Sequence, residues 1–292
     1  MMGLLFVKGY HHEAILRNSF NELAQQIFGI NFEPWYQAGY WTDKYVPYSF
    51  VEGSRVVANV SVNKLDLMID NVQKKSIQIG TVMTHPEYRG YGLSKTLMNR
   101  VLEDFAAYDY IYLFANQSVL DFYPKFGFYP VKETQFSQAL KYNPEVAIPY
   151  RKLEGSSRDD RSFIYDFSNK RKPISKRFGT MNAQELLMFY CMYVFTDDIY
   201  YFEKENVIAI ARHENNYLHM YDFISQGEAD VESIIQSLSL PATTEVIFHF
   251  TADSPEFPTN NGDNEDANVL FVRTQNHSSW PGNVKHPLTS QA

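Results

Sequence analysis

A strand, a glycine-bearing turn and a helix follow one another without a gap at residues 77–105, and this junction constrains the chain more than any other segment. Ile77 to Met83 reads as a strand, and Thr84-His85-Pro86-Glu87-Tyr88 leads into Arg89-Gly90-Tyr91-Gly92-Leu93-Ser94. Leu97, Met98, Val101, Leu102 and Phe105 then recur at three- and four-residue spacing, the buried stripe of a helix. A helix start exposes unpaired backbone N–H groups, and the helix dipole favours an anion there. Side chains at Gly90 and Gly92 would hold a phosphate away from the backbone, so the turn reads as a phosphate cradle.

The elements around this junction alternate between helix and strand periods. A strand is expected at 4–10, and Ile15, Leu16, Phe20, Leu23, Ala24, Ile27 and Phe28 mark one helix face. A short helix and loop cover 34–47. The alternation of Val56, Ala58, Val60 and Val62 predicts a half-buried strand, hairpinned across Glu52-Gly53-Ser54 to a strand ending near Val51. A strand at 110–115 and a short helix ending at Tyr123 complete the first half. Residues 141–176, with Pro144, Pro149, Gly155 and two charged clusters, read as a linker. Beyond it, Asn182 and Glu185 have capping-box spacing for a helix to about Phe195. Strands follow near 199–203, 207–213 and 217–224, then a helix carrying Val231, Ile234, Ile235 and Leu238, then a strand at 244–251. The order of elements repeats, which predicts two copies of one α/β (α+β) architecture: a mixed central sheet with flanking helices at 1–140, the linker, and a second unit at 177–292.

Composition narrows the function. The chain has 292 residues, long enough for two domains. Residues 1–150 carry a formal charge of −1 and residues 151–292 carry −7. An acidic second half argues against nucleic acid as a partner, because neutralising phosphates needs clustered basic side chains. The longest unbroken apolar run, Leu186 to Phe195, is ten residues, so no membrane span is expected. With no basic, apolar leader at residues 1–7 either, the expectation is a cytoplasmic protein. Cys191 is the only cysteine and sits in that apolar run, which predicts an inert buried thiol and no metal.

A second segment makes the junction specific. One strand later comes Asn116-Gln117-Ser118-Val119-Leu120-Asp121-Phe122-Tyr123-Pro124-Lys125-Phe126-Gly127-Phe128. Together the two segments resemble the GNAT superfamily of acetyl-CoA-dependent N-acetyltransferases, most clearly over 46–130. Arg89, Gly92 and Ser94 occupy the family's Gln/Arg, Gly and Gly/Ala positions, and Ser94, a departure, is still small enough for a close backbone approach and could cap the helix. The resemblance implies that the backbone of Arg89, Gly90, Tyr91, Gly92, Leu93 and Ser94 binds the pyrophosphate of acetyl-CoA as co-substrate. It also implies that Val82, Met83 and Thr84 pair with the pantetheine arm, which Asn116 faces. Tyr123, Lys125, Gly127 and Phe128 match a further family pattern that puts Tyr123 at the general-acid position. A phenol of pKa near ~10 can protonate a departing thiolate whose conjugate acid lies near ~8.5.

The base that deprotonates the acceptor is open among His85, Glu87, Glu52, Asp66 and ordered water. Trp35, Tyr36, Tyr40, Trp41, Tyr45 and Tyr48 fall where the family forms its acceptor pocket, and aromatic faces attract cationic amines; ordinary core packing is the competing reading. In the second half Ser225-Gln226-Gly227-Glu228-Ala229-Asp230 puts acids where a pyrophosphate would lie, so that copy is expected to be degenerate. The leading expectation is direct acetyl transfer to a small-molecule or peptide amine. The alternatives are a non-catalytic acyl-CoA sensor and a tandem aminoacyl- or acyltransferase.

Overall fold

The computed structural model describes residues 3–252, 260–263 (backbone only), 268–275 and 278–292. The first half runs β1 (Leu5–Lys8), α1 (Ala14–Phe28), α2 (Glu33–Gln37), β2 (Tyr45–Glu52), β3 (Arg55–Ile69), β4 (Val72–Thr84), α3 (Leu93–Asp104), β5 (Tyr110–Ala115), β6 (Tyr129–Val131) and β7 (Thr134–Ala139). The second runs β8 (Arg151–Leu153), α4 (Arg158–Ser168), β9 (Phe178–Met181), α5 (Gln184–Tyr193), β10 (Ile199–Phe202), β11 (Val207–Glu214), β12 (Tyr217–Ser225), α6 (Val231–Leu238), β13 (Glu245–Phe248), β14 (Asn260–Asp263) and β15 (Val269–Thr274). Among the described residues no helix is long and apolar enough to cross a membrane.

Two mixed sheets form, but neither keeps to its own half. The first has the order β1-β2-β3-β4-β5-β15-β6, with β9 on β3, and the second is β14-β7-β13-β12-β11-β10-β8. Thus β7 of the first half pairs with β13, and β15 of the second inserts between β5 and β6. The first half lends one strand, β7, and the second lends two, β9 and β15. The expected boundaries at 140 and 177 therefore do not follow the sheets, and the expected linker contains β8 and α4. Pairing is decided by which edge is open in three dimensions, and nothing local in Thr134–Ala139 or Val269–Thr274 records it.

Other expectations shift at element ends. The Asn182–Glu185 capping box does not form. Asn182 adopts a left-handed φ of 59° and donates to Asp66 (2.6 Å), while Glu185 takes Lys44 (2.9 Å), so α5 begins at Gln184 without a side-chain cap. The turn Tyr123–Phe126 begins at Tyr123 rather than ending there, because Pro124 suits a first helical turn, where its missing N–H costs nothing.

The α3 stripe of Leu97, Met98, Val101 and Leu102 is buried against the first sheet, together with Val60, Ile77 and Leu113. Full burial of such side chains contributes roughly 1.5–3 kcal/mol each. That packing fixes where α3 starts relative to the end of β4, the geometry on which the site depends.

Candidate active site

β4 and β5 run parallel but pair only from Ser76↔Tyr110 to Ile79↔Leu113, although β4 continues to Thr84. The strands separate because β4 carries a bulge: Val60 faces Val82 and Val62 faces Ile79, so Ser61 opposes both Gly80 and Thr81. A side chain at Gly80 would press on Asn63 Nδ2 at 3.3 Å, which explains the glycine. A buried chain of hydrogen bonds pins the bulge. Tyr10 donates to Ser49 (2.6 Å), Ser49 to Asn59 (2.9 Å), and Asn59 to Ser61 (2.9 Å) and the Thr81 carbonyl (2.8 Å). Thr81 donates to Ser61 (2.9 Å) and accepts from Tyr45 (2.8 Å).

The separation opens a cavity of about 780 Å³. Val82, Thr84, Arg89, Ser94, Asn116 and Tyr123, all expected site residues, line it together. Thr81, Phe114, Ser118, Val119 and Phe122 join them, with Ile27, Phe28 and Ile30 from the end of α1 and Asn268 and Ala292 from the other end of the chain. Met83 does not contribute its side chain. Strand alternation turns it, 1 % exposed, into the cluster of Phe20, Trp35 and Trp41, leaving only its backbone toward the opening.

The helix start carries the turn that the sequence suggested. Gly90 and Gly92 have φ of 83° and 74°, a left-handed conformation that side chains resist, and no protein atom lies within 4 Å of where either Cβ would be. Their side-chain space is open. Gly92 is the N-cap of α3 and no side-chain hydrogen bond caps that helix among the described residues. Tyr91 is 64 % exposed and Leu93 packs partly against the core, so neither lines the cavity. Ser94 does not cap the helix. Its hydroxyl bonds Thr84 Oγ1 at 2.6 Å, tying the end of β4 to the start of α3, and Arg89 Nε reaches the Thr84 carbonyl at 3.4 Å. The first-turn amides are thus without a side-chain cap among the described residues.

Tyr123 lines the cavity, 6 % exposed, among Phe122, Phe128 and Phe271 at ring separations of 5.3, 6.2 and 5.7 Å. Burial pushes its phenol up to about 12, so it keeps its proton throughout the neutral range. Asn116 Oδ1 accepts from Ser118 N (3.0 Å) and Oγ (2.6 Å), leaving its NH₂ as the end it can offer.

The candidate bases do not line the cavity. His85 Nε2 meets Arg55 Nη2 at 2.7 Å, Glu52 accepts from Tyr88 (2.6 Å), Glu87 lies 3.5 Å from Arg55, and Asp66 accepts from Asn182 and Gln73. The aromatic cluster is core rather than pocket wall. Trp35, Tyr40, Trp41, Tyr45 and Tyr48 are all buried, and Trp35 Nε1 donates across the two halves to the Glu185 carbonyl (3.0 Å). Tyr36 is occupied by Arg17, stacked at 3.7 Å.

The chain covers 93 % of its length on a conserved Enterococcus faecalis V583 protein described as a probable N-acyltransferase, at 14 % identity, TM-score 0.63 and 73 % of that chain. It aligns likewise with a GCN5-related N-acetyltransferase from Kribbella flavida (13 %, 0.59, 93 % and 72 %) and with Eis1 from Mycobacterium abscessus (9 %, 0.60, 93 % and 73 %). At such identities these likenesses speak for the fold. No curated protein sequence matches the chain. Residues 15–131, which hold the bulge, the uncapped helix start and Tyr123, match the acetyltransferase (GNAT) domain model.

Proposed function

We propose that this protein transfers an acetyl group directly from acetyl-CoA to the amine of a small molecule or peptide, using the cavity between β4 and β5. The observation that carries the reading is the meeting, in one cavity, of an uncapped helix start and a buried, protonated phenol. Residues 89–94 would hold the pyrophosphate through first-turn amides, with the Arg89 side chain adding positive charge beside them. The free edge of Val82 to Thr84, where β5 no longer pairs, offers backbone groups to the amide-bearing pantetheine arm. The NH₂ of Asn116 offers a donor to the same arm. Acetyl-CoA supplies the acyl thioester when bound. The amine attacks as the free base, the C–N bond forms, the C–S bond breaks, the Tyr123 hydroxyl gives its proton to the departing thiolate, and the proton lost by the acylated nitrogen returns through water to the Tyr123 phenolate. The first half carries this chemistry and the second half supports it without a site of its own.

The test is to mix the full chain with acetyl-CoA and a panel of amines and to follow thiol release. Amine-dependent release above the rate of hydrolysis supports the proposal. Tight coenzyme A binding with no amine-dependent release across the panel would overturn the transfer reaction.

A further inference from the structure

The geometry points to a divalent transition-metal site formed by His11, His12 and Asp43, where the loop before α1 meets the loop before β2. One donor atom from each of the three residues lies within 4.8 Å of the others. His11 Nε2 is 3.6 Å from Asp43 Oδ1, and the two imidazole rings are 3.9 Å apart at their centroids.

His11 supplies the independent sign of a ligand. Its residue is 2 % exposed, its Nδ1 makes no hydrogen bond among the described residues, and its Nε2 approaches Asp43 at a distance longer than a hydrogen bond. Buried imidazoles are ordinarily satisfied, so a histidine whose Nδ1 has no partner among the described residues and whose Nε2 has only a 3.6 Å approach to Asp43 keeps a nitrogen for a ligand. The ring is held in place. It stacks on Trp41 (6.3 Å, 17°), and its backbone carbonyl accepts from Arg17 Nη1 (2.8 Å). The nearby Arg17 charge is already matched by Glu33, at 2.8 Å. His12 and Asp43 are exposed, so their side chains are able to turn inward and bring their donors to metal-bonding distance.

The donor set selects the ion. Two imidazoles with one carboxylate suit zinc, nickel, copper or cobalt, whereas magnesium and calcium prefer oxygen alone. Three protein donors leave the remaining position to water. The single cysteine predicts no metal, but it excludes only a paired-thiolate site and not a histidine pair completed by Asp43. Bound metal would clip the loop before α1 to the loop before β2.

The test uses the full chain after chelator treatment, titrated with zinc by calorimetry and with cobalt by visible absorption. The expected result is one zinc per chain, a zinc-dependent rise in the thermal midpoint, and cobalt bands of a nitrogen-ligated ion. His12→Ala and Asp43→Ala, both at exposed positions, should each weaken zinc by about tenfold or more, while melting as wild type does in chelator. His219→Gln, which alters the separate His219–His249 contact (2.9 Å), should leave binding intact. No saturable binding, wild-type affinity in the His12/Asp43 double variant, or loss only in His219→Gln would each overturn the site.

Discussion

The two halves build the same opening and treat it in opposite ways. In the second sheet β12 and β13 are also parallel, and they also pair only part-way, from Tyr217↔Glu245 to Met220↔Phe248, before the strands part. There the gap is filled by the chain's own C-terminal segment. Leu288 N donates to the His249 carbonyl (3.0 Å), Thr289 donates to Asp222 (2.5 Å), and Thr251 and Lys285 exchange two bonds of 2.8 Å. Arg171 closes the buried Asp222 carboxylate from the other side at 2.7 Å. The helix that follows differs in the same sense. Gly92 leaves the start of α3 uncapped, whereas Asp230 caps α6 by accepting from Ser233 N at 3.1 Å and Ser233 Oγ at 2.6 Å. One splay is an open cavity ending in free amides; the other is plugged and carries its own anion. A fold that must be splayed to bind a ligand has to be filled when it does not.

The largest effect should come from the acid of the open half. Tyr123→Phe removes the phenolic proton donor from the cavity while keeping the ring, so coenzyme A affinity should stay nearly constant. The value of kcat should fall by ~10²–10⁴-fold. Unchanged kcat under conditions where chemistry limits the rate would make Tyr123 a packing residue only.

Next in size is a substitution that makes the open half resemble the closed one. Gly92→Asp places a carboxylate at the start of α3, as Asp230 stands before α6. Two like charges about 4 Å apart repel by about 4 kcal/mol at an effective dielectric constant near 20, so coenzyme A should bind about 1,000-fold more weakly. Calorimetry decides it, and wild-type affinity would mean that the pyrophosphate lies elsewhere.

Much of this contrast was legible in the sequence, and its unread part has a common cause. The turn at Arg89–Ser94 and the acids at Glu228 and Asp230 are local signals, so the open and closed helix starts were both readable. Repeated element order gave two related units for the same reason, since apolar periodicity is written residue by residue. The exchange of β7 and β15 was not readable, because a strand's pattern records that it has a buried face and not whose sheet it joins. Nor was the plug at 285–289, whose Thr289 and His286 find partners more than sixty residues away. Ser94 and Asn182 have capping chemistry, but Thr84 and Asp66 compete for their side chains across space. The Gly80 bulge had a signal, a glycine within a strand pattern, which marks a bulge or a close approach.

The plug also has a pH signature. His286 is buried, accepts from Tyr112 at Nε2 (2.9 Å) and donates from Nδ1 to the Pro287 carbonyl (3.0 Å). Burial pulls its pKa down to about 3. The unfolded chain protonates this ring near pH 6.5 while the fold does not, so its contribution is intact above ~6.5 and stability is lost as pH falls below it, by up to ~1.4 kcal/mol per pH unit. His11, His213 and His219 are shifted in the same direction by burial and steepen the slope. Urea unfolding between pH 6.5 and 4.5 should therefore show a shallower slope in His286→Gln than in wild type. Equal slopes would mean that the histidine is hydrated and the plug loose.

The smallest effect separates the two devices that close the second half. Asp230→Ala removes the cap of α6 and its charge but leaves the segment 285–289 in place, so the cost should be about 1 kcal/mol, the usual worth of an N-cap. Hydrogen bonds from Ser233 hold the Asp230 carboxyl below the ordinary range, so it is ionised at neutral pH and its charge stands where a pyrophosphate would otherwise approach. If charge alone silenced this half, the variant would gain a second coenzyme A site. If the plug silences it, calorimetry on Asp230→Ala should still give one site per chain. The bonds of Leu288 and Thr289 to His249 and Asp222 favour the plug, because they occupy the gap between β12 and β13, where a pantetheine arm would have to lie. Two sites in Asp230→Ala would reverse that order and make the cap, not the tail, the element that distinguishes the halves.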